Sequence, residues 1–318
     1  MKILAIESSC DETSIAVVED AKRVLSNFTY TQIEIHKLYG GVVPEVASRH
    51  HIEKITYVLD ASLKEAGLSM DEIDYIAVTS HPGLVGSLMV GINCAKTLAW
   101  AFHKPLIEVN HIHGHIYANY LTSEFKFPLI ALVVSGGHTE LVLMKDHFDF
   151  TLLGQTLDDA VGEAYDKVAR VVGVGYPGGP IIDKMAKLGK PSYPLPHIKL
   201  AKDSYDFSFS GLKSAVINLH NKIMQSGEEF RPNDLAASFQ DAVVDVLCEK
   251  TKRAAIEYQA RQVIVAGGVA ANSGLRDQLT KTIAELDGVE LTFPKFEYCT
   301  DNAAMIATAA FFQTKEVK

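Results

Sequence analysis

Apolar residues in this chain fall in short, nearly unbroken runs separated by polar, glycine-containing turns, the pattern of strands buried on both faces. Lys2-Ile3-Leu4-Ala5-Ile6-Glu7 predicts a first strand, Ser8-Ser9-Cys10-Asp11-Glu12-Thr13 a polar turn, and Ser14-Ile15-Ala16-Val17-Val18 a second strand. The same order returns mid-chain. Leu129-Ile130-Ala131-Leu132-Val133-Val134 predicts a strand, Ser135-Gly136-Gly137-His138-Thr139 a turn, and Glu140-Leu141-Val142-Leu143-Met144 its partner. Both units read as hairpins whose tight turns carry Ser, Thr, Gly or acidic residues.

Each hairpin leads into alternating strands and helices. In the first half Tyr75-Ile76-Ala77-Val78-Thr79 predicts a buried strand, and His81-Pro82-Gly83 leads into a small-residue helix from Val85 to Phe102. In the second half Val161, Ala164, Val168 and Val171 keep helical spacing and predict an amphipathic helix over 157–172, stopping at Gly173. Gly175-Tyr176-Pro177-Gly178-Gly179-Pro180 predicts a loop, and a polar section over about 187–231 an insertion with helices of its own. Asn233-Asp234 reads as the cap of the next helix. Gln262-Val263-Ile264-Val265-Ala266 predicts a strand turning at Gly267-Gly268 into a helix near Ala270. A last strand over 289–293 precedes a closing helix over 303–312. The expected fold class is α/β with two duplicated lobes, 1–128 and 129–318, the last helix returning towards the first. This layout resembles the actin, sugar-kinase and heat-shock ATPase superfamily, whose members bind a nucleotide in a central cleft.

Composition narrows the partners. The 318 residues are 47% hydrophobic and 22% charged, with a formal net charge of −9. Such a chain is not coated in basic residues, so any nucleic acid must meet a local patch or a surface supplied by a partner. Cys10, Cys94, Cys248 and Cys299 form no C-x-x-C pair and read as reduced thiols of a cytoplasmic protein. No secretory or transit pattern precedes the first strand. Asn93 and Lys96 interrupt the apolar stretch from Leu84 to Phe102, which reads as a core helix rather than a membrane span.

Three of the twelve histidines, His111, His113 and His115, fall within five residues. With Asn110 as N-cap, His111 and His115 share one helical face, about 6 Å apart along the axis, and can grip one metal ion. His113 points elsewhere. A hydrogen-bonded histidine cluster without metal is the alternative reading. Residue 112 is Ile, so the glutamate of the H-E-x-x-H zinc-protease motif is missing. In the superfamily layout Asp301 is the leading third ligand, unless it merely caps the last helix. Two histidines and a carboxylate leave coordination positions open, which suits iron(II) or catalytic zinc.

Other constellations are more ambiguous. The Ser135–His138 turn either cradles phosphate with backbone N–H groups or is an ordinary hairpin turn. Gly267-Gly268 with Asn272 either admits a purine or ribose or makes a tight strand-to-helix turn. Asp158 and Asp159 read as helix N-terminal charges. Asp166 and Asp183 hold sugar hydroxyls or are solvated. Asp11 and Glu12 would repel a phosphate unless a cation or a proton transfer is involved; exposed turn charges are the alternative.

In sequence order, the motifs Glu7–Thr13, Gly41–His51, Asn110–His115, Val134–Thr139, Tyr176–Pro180, Phe207–Lys213, Gly267–Asn272 and Tyr298–Ala303 span the chain. Together they resemble the bacterial tRNA adenosine threonylcarbamoyltransferase family, once labelled glycoprotease or O-sialoglycoprotein endopeptidase. The resemblance implies that His111, His115 and Asp301 bind one divalent metal, Fe(2+) with zinc as the alternative. It implies that Val134, Ser135, Gly136, Gly137, His138, Asp166, Gly179, Asp183 and Asn272 line a substrate pocket for an adenine nucleotide or adenylate. The implied reaction moves a threonylcarbamoyl group from threonylcarbamoyl-adenylate to N6 of the adenosine 3′ of the anticodon, in tRNAs reading codons that start with A. Implied partners are a non-catalytic paralogue and a small P-loop ATPase. Residue 113 varies in the family, and any longer family tail after the last helix is expected to be absent.

The donor is already activated, so no covalent enzyme intermediate is required, and Asp11 or Glu12 is the candidate acceptor of the amine proton. Arg49, Lys199, Lys202 and Lys213 are the candidate tRNA contacts, with solvated surface charge the alternative reading of each. Two other readings remain at this point: an ATP-dependent small-molecule kinase or ATPase of the same fold, and a non-catalytic scaffold. Neither needs the histidine pair with Asp301.

Overall fold

The structure, a computed structural model, describes residues 1–196, 200 and 203–316. Lys199 and Lys202 lie outside the described residues. The chain divides into two compact units, residues 1–124 with 294–318, and residues 125–293.

Unit 1 opens on an antiparallel meander, β1 (Lys2–Glu7), β2 (Glu12–Glu19) and β3 (Arg23–Thr31). There follow α1 (Ile33–His36), α2 (Pro44–Ala66), β4 (Tyr75–His81), α3 (Val85–Ala101), β5 (Leu106–Asn110) and α4 (His111–Ala118). The sheet order is β3-β2-β1-β4-β5, with β4 parallel to β1 and β5 parallel to β4. β1 is central and buried from Ile3 onwards, which explains its unbroken apolar run and makes the terminal Glu7 conspicuous. The small residues of α3 allow it to lie close to the first hairpin turn. A Cβ on Gly91 would strike the Ser8 hydroxyl, and one on Gly83 the Ser9 backbone. Ser8 also donates to the Ser87 carbonyl at 2.9 Å. The turn is thereby clamped before any ligand is considered.

Unit 2 repeats the plan with β6 (Leu129–Val134), β7 (Thr139–Met144), β8 (Phe150–Gln155), α5 (Val161–Val171), α6 (Gly178–Leu188), α7 (Ser210–Ser226), α8 (Pro232–Glu257), β9 (Gln262–Ala266), α9 (Ser273–Ile283) and β10 (Glu290–Thr292). Its order is β10-β9-β6-β7-β8, an antiparallel meander with β9 parallel to β6 and β10 parallel to β9. The two sheets correspond strand for strand, so the duplication covers all five strands rather than the two hairpins alone.

Three boundaries differ from the sequence reading. The helix expected over 157–172 begins at Val161, because Leu157 is tied to Phe207 by a backbone bond of 2.8 Å and Thr156 bonds the Asp159 carbonyl. The predicted loop through Pro180 ends at Pro177. Gly178 starts α6, its N–H donating to Asp166 at 2.7 Å, and Pro180 falls in the first turn, where a missing N–H costs nothing. α8 starts at Pro232, so Asn233 and Asp234 lie inside its first turn. Asp234 accepts instead from the Lys190 N–H at 2.9 Å and the Ser192 hydroxyl at 3.1 Å.

The closing helix α10 (Ala303–Glu316) belongs to unit 1 and packs against α4, β1 and β2. Residues 303–310 are all buried, as expected of a helix covered on every side. Gly114 allows the close crossing with α4, since a Cβ there would meet Ile306. Among the described residues no helix is long and apolar enough to cross a membrane.

Candidate metal centre and glycine-turn site

β5 ends at Asn110, whose side chain caps α4 by accepting from the N–H groups of Ile112 at 2.7 Å and His113 at 3.2 Å. The helix therefore starts at His111, and His111 and His115 turn inwards one above the other, their ring centroids 4.6 Å apart. At the entry to α10 the cap is Asn302, which accepts from Met305 N at 3.1 Å. Ser14 and Asn27 side chains accept from the next two N–H groups, at 2.9 and 3.3 Å. Asp301 is thus not the cap. Its carboxylate lies 3.1 Å from His115 Nε2 and 3.6 Å from His111 Nε2.

One ligand atom from each of His111, His115 and Asp301 lies within 4.8 Å of the others. Metal–ligand bonds of about 2.1 Å place neighbouring donors about 3–4 Å apart, so this set can close on one ion with small adjustments. His115 supplies the sharper test. It is fully buried; among the described residues Nδ1 has no hydrogen-bond partner, and Nε2 lies 3.1 Å from the Asp301 carboxylate but outside hydrogen-bonding geometry. A buried imidazole left so is costly unless something else takes its lone pair. His113 stands apart: burial and nearby His81 push it down to about 4.

His111 is held differently. Its Nδ1 lies 3.1 Å from both Glu7 Oε2 and Ser9 Oγ, which leaves Nε2 facing Asp301. Burial would lower its pKa, but Asp301 and Glu7 together raise it to about 9. Glu7 is fully buried; burial pushes its carboxyl up, yet the charge and hydrogen bond of His111 hold it below the ordinary range. Beside this centre, Asp11 is buried and Glu12 partly so. Burial, then Asp11 and Asp301, push the Glu12 carboxyl well above the usual range. His51 pins the turn that carries them. It is bonded to the Thr13 hydroxyl at 2.7 Å and the Cys10 carbonyl at 2.9 Å.

In unit 2 the turn after β6 is open. Gly136 and Gly137 are exposed, and nothing lies within 4 Å of a Cβ added to either. The turn is closed by Ser135 N to His138 O at 2.8 Å and anchored to α5 through Gly162 N to Ser135 O at 3.2 Å. Val134 is fully buried and Ser135 nearly so, which leaves Gly136, Gly137 and His138 of that stretch open to solvent. Asp183 accepts from Ser273 Oγ at 2.7 Å and Gln240 Nε2 at 3.1 Å. Asn272 caps α9 through Leu275 N and donates to Gln240 Oε1 at 2.8 Å. Asp183 and Asn272 thus share one partly buried network with Gln240, and Gly179 lies open as the Ser135 turn does.

The acidic pair ahead of α5 does not serve that helix. Asp158 caps α7, accepting from Phe209 N at 2.8 Å and from the hydroxyls of Ser208 and Ser210. Its solvent-shielded side raises its pKa, but these donors more than offset that and hold it at about 2. Asp158→Ala is expected to destabilise unit 2 by about 1–2 kcal/mol, the usual worth of a helix cap. Limited proteolysis near residue 210 and a thermal melt check this; unchanged protection there would contradict the cap. Asp159 pairs with Lys167 at 2.6 Å and Lys213 at 3.3 Å, so the Lys213 charge is already engaged. Arg49 is exposed.

Sequence reading passed over Glu7, Ser9 and Thr79 around His111, and Tyr165, Gln240 and Ser273 around Asn272. Glu7 did leave a signal, a lone charge closing an apolar strand. Gln240, inside a long helix, left none.

Residues 23–308 match the family of tRNA N6-adenosine threonylcarbamoyltransferases. A tRNA N6-adenosine threonylcarbamoyltransferase of Bacillus subtilis is 57% identical over 97% of this chain and 89% of its own length. One from Bacillus thuringiensis is 59% identical over 96% and 90%. The chain belongs to this family. Membership makes it a transferase and favours the acyl-transfer reading over a kinase or ATPase. Among solved structures, a full-length HypF in its phosphate- and nucleotide-bound form superposes with a TM-score of 0.65 at 16% identity. It is covered over 100% of this chain but 46% of the HypF chain, so the present chain spans about half of that protein. The (R)-2-hydroxyglutaryl-CoA dehydratase component A of Acidaminococcus fermentans gives 0.55 at 14% identity, over 99% and 98%. These likenesses concern the fold alone, two α/β units with corresponding five-stranded sheets.

Proposed function

We propose that this threonylcarbamoyltransferase places the threonylcarbamoyl group of threonylcarbamoyl-adenylate on N6 of the adenosine 3′ of the anticodon, in tRNAs reading codons that start with A, the carbonyl–phosphate bond breaking and AMP leaving. The observation that carries the reading is the convergence of His111, His115 and Asp301, with the His115 ring lacking any hydrogen bond. These three residues would hold a divalent metal, Fe(2+) before zinc, with further positions open. When bound, such an ion supplies Lewis-acid polarisation of a carbonyl or phosphate oxygen.

The chain's own residues supply the rest. The exposed Gly136 and Gly137 offer their backbone N–H groups to a phosphate and allow close approach, while the N–H groups of Ser135 and His138 close the turn itself. Asp166, Gly179, Asp183 and Asn272 line the nucleoside side of the same site, with Gln240 orienting the last two. The N6 amine is a weak nucleophile because its lone pair is shared with the purine, so positioning is the larger task. Asp11 or Glu12, carried on the turn that His51 pins, accepts its proton. The enzyme works in the cytoplasm with a non-catalytic paralogue and a small P-loop ATPase, which add the basic surface that a chain of net charge −9 lacks.

The test is nucleoside analysis of unmodified tRNA after incubation with the protein and threonylcarbamoyl-adenylate. Threonylcarbamoyladenosine is expected only in tRNAs with adenosine 3′ of the anticodon. Phosphoryl transfer from ATP to a metabolite, with no change in tRNA, would contradict it.

Metal affinity should depend on pH with a definite sign. A protonated His111 cannot ligate, and its pKa stands at about 9 in the metal-free protein. Affinity should therefore rise about tenfold per pH unit up to about pH 9 and level off above, one proton leaving per ion bound. Chelator competition with Zn(2+) from pH 6.5 upward measures this; a flat profile would contradict it.

A further inference from the structure

We infer that Glu7 is a positioning residue for the metal centre: its buried carboxylate fixes which nitrogen of His111 carries the proton and so keeps Nε2 available as the ligand atom. The inference rests on the proposed metal triad. It stands on the hydrogen bonds around Glu7. Oε1 accepts from Ser9 N at 2.5 Å, while Oε2 accepts from Thr79 Oγ1 at 2.5 Å and lies 3.1 Å from His111 Nδ1. Glu7 is 0% exposed, so its charge is never shared with solvent.

Both oxygens face donors, and this makes the group acceptor-only. His111 must answer with Nδ1–H, so that the neutral ring turns its Nε2 lone pair towards Asp301, 3.6 Å away. No comparable partner sits on His115, whose Nδ1 makes no hydrogen bond. The centre is therefore asymmetric, with one histidine fixed in tautomer and the other free to choose. Charge points the same way. Glu7 and Asp301 contribute two negative charges at a buried site, which one divalent cation neutralises.

An amide cannot replace this carboxylate. In Glu7→Gln the NH2 group must face either Ser9 N–H, donor against donor, or His111 Nδ1. In the second case the proton moves to Nε2 and the ligand atom is blocked. The geometry therefore predicts that an isosteric change, far from the ion itself, weakens metal binding.

The experiment is Co(2+) affinity by chelator competition, with the visible Co(2+) spectrum as the second readout, on the wild-type protein, Glu7→Gln, Thr79→Val and His115→Ala. Far-UV circular dichroism and thermal melting in metal-free buffer confirm that each variant is folded. Glu7→Gln is expected to bind about 10–100-fold more weakly, with an altered Co(2+) spectrum, and Thr79→Val to lose only a few-fold because the carboxylate remains. A folded Glu7→Gln protein that binds Co(2+) within twofold of wild type, with the same spectrum, would overturn the inference. Should Glu7→Gln fail to fold, Thr79→Val decides: unchanged affinity and spectrum overturn the proposal. If the wild-type protein itself binds no Co(2+), the metal reading fails instead.

Discussion

His115→Ala is expected to abolish metal binding and lower transfer about a thousandfold while barely changing the stability of the metal-free protein. The loss in rate corresponds to about 4 kcal/mol of transition-state stabilisation, the scale a Lewis-acid ion supplies. The stability argument is separate. His115 is fully buried, its Nδ1 has no hydrogen-bond partner among the described residues and its Nε2 faces Asp301 outside hydrogen-bonding geometry, so truncation removes packing but also removes poorly satisfied polar atoms. Those terms, each about 1–3 kcal/mol, oppose one another. Metal analysis, single-turnover transfer and a metal-free melt separate the two effects. A severe loss of metal-free stability would mean that His115 is a packing residue. Adding metal to the wild type at about 100 times its dissociation constant should stabilise it by about 2.7 kcal/mol, an effect absent from the variant.

Gly267→Ala is the second large effect, and it falls on unit 2. Gly267 has φ 91°, a region L side chains rarely adopt. An added Cβ would also run into the Val134 carbonyl, immediately before the Ser135 turn. Strain of about 1–3 kcal/mol and the backbone collision together suggest a loss of about 4 kcal/mol, or roughly 10 °C in the melting of unit 2. Transfer should fall too, because the turn at Ser135 has to move. Gly137→Ala is the contrast. Nothing lies within 4 Å of its added Cβ, so stability should hold while transfer drops if the turn meets the substrate. Thermal melts and transfer rates on both variants check this; a stable Gly267→Ala protein would contradict it.

Much of the fold was legible because central strands announce themselves. β1, β6 and β9 are buried on both faces and read as continuous apolar runs, so the duplication could be seen. The strands β3 and β8, at the edges of their meanders, mix buried and exposed positions and left no such trace. The start of α5 was misplaced because the 156–160 segment is tied to Phe207, more than forty residues away, and local pattern carries no record of that bond. The site divides in the same way. His111 and His115 are local, set by one helix and one cap. Asp301 could be named only by its place in the superfamily layout, and the structure adds that Asn302 does the capping it was suspected of. Glu7 was visible as a charge out of place, but its partner Thr79 comes from another strand. Asp158 and Asp159 were read as charges for the nearest helix, and they serve α7 and two lysines instead.

The most direct measurement is transfer of labelled threonylcarbamoyl from purified threonylcarbamoyl-adenylate to tRNA by metal-stripped protein, before and after Fe(2+) is restored. The account predicts negligible transfer by the stripped protein, recovery on adding the ion, and no recovery in His115→Ala. Full activity in the stripped protein, or equal activity in the variant, would contradict it.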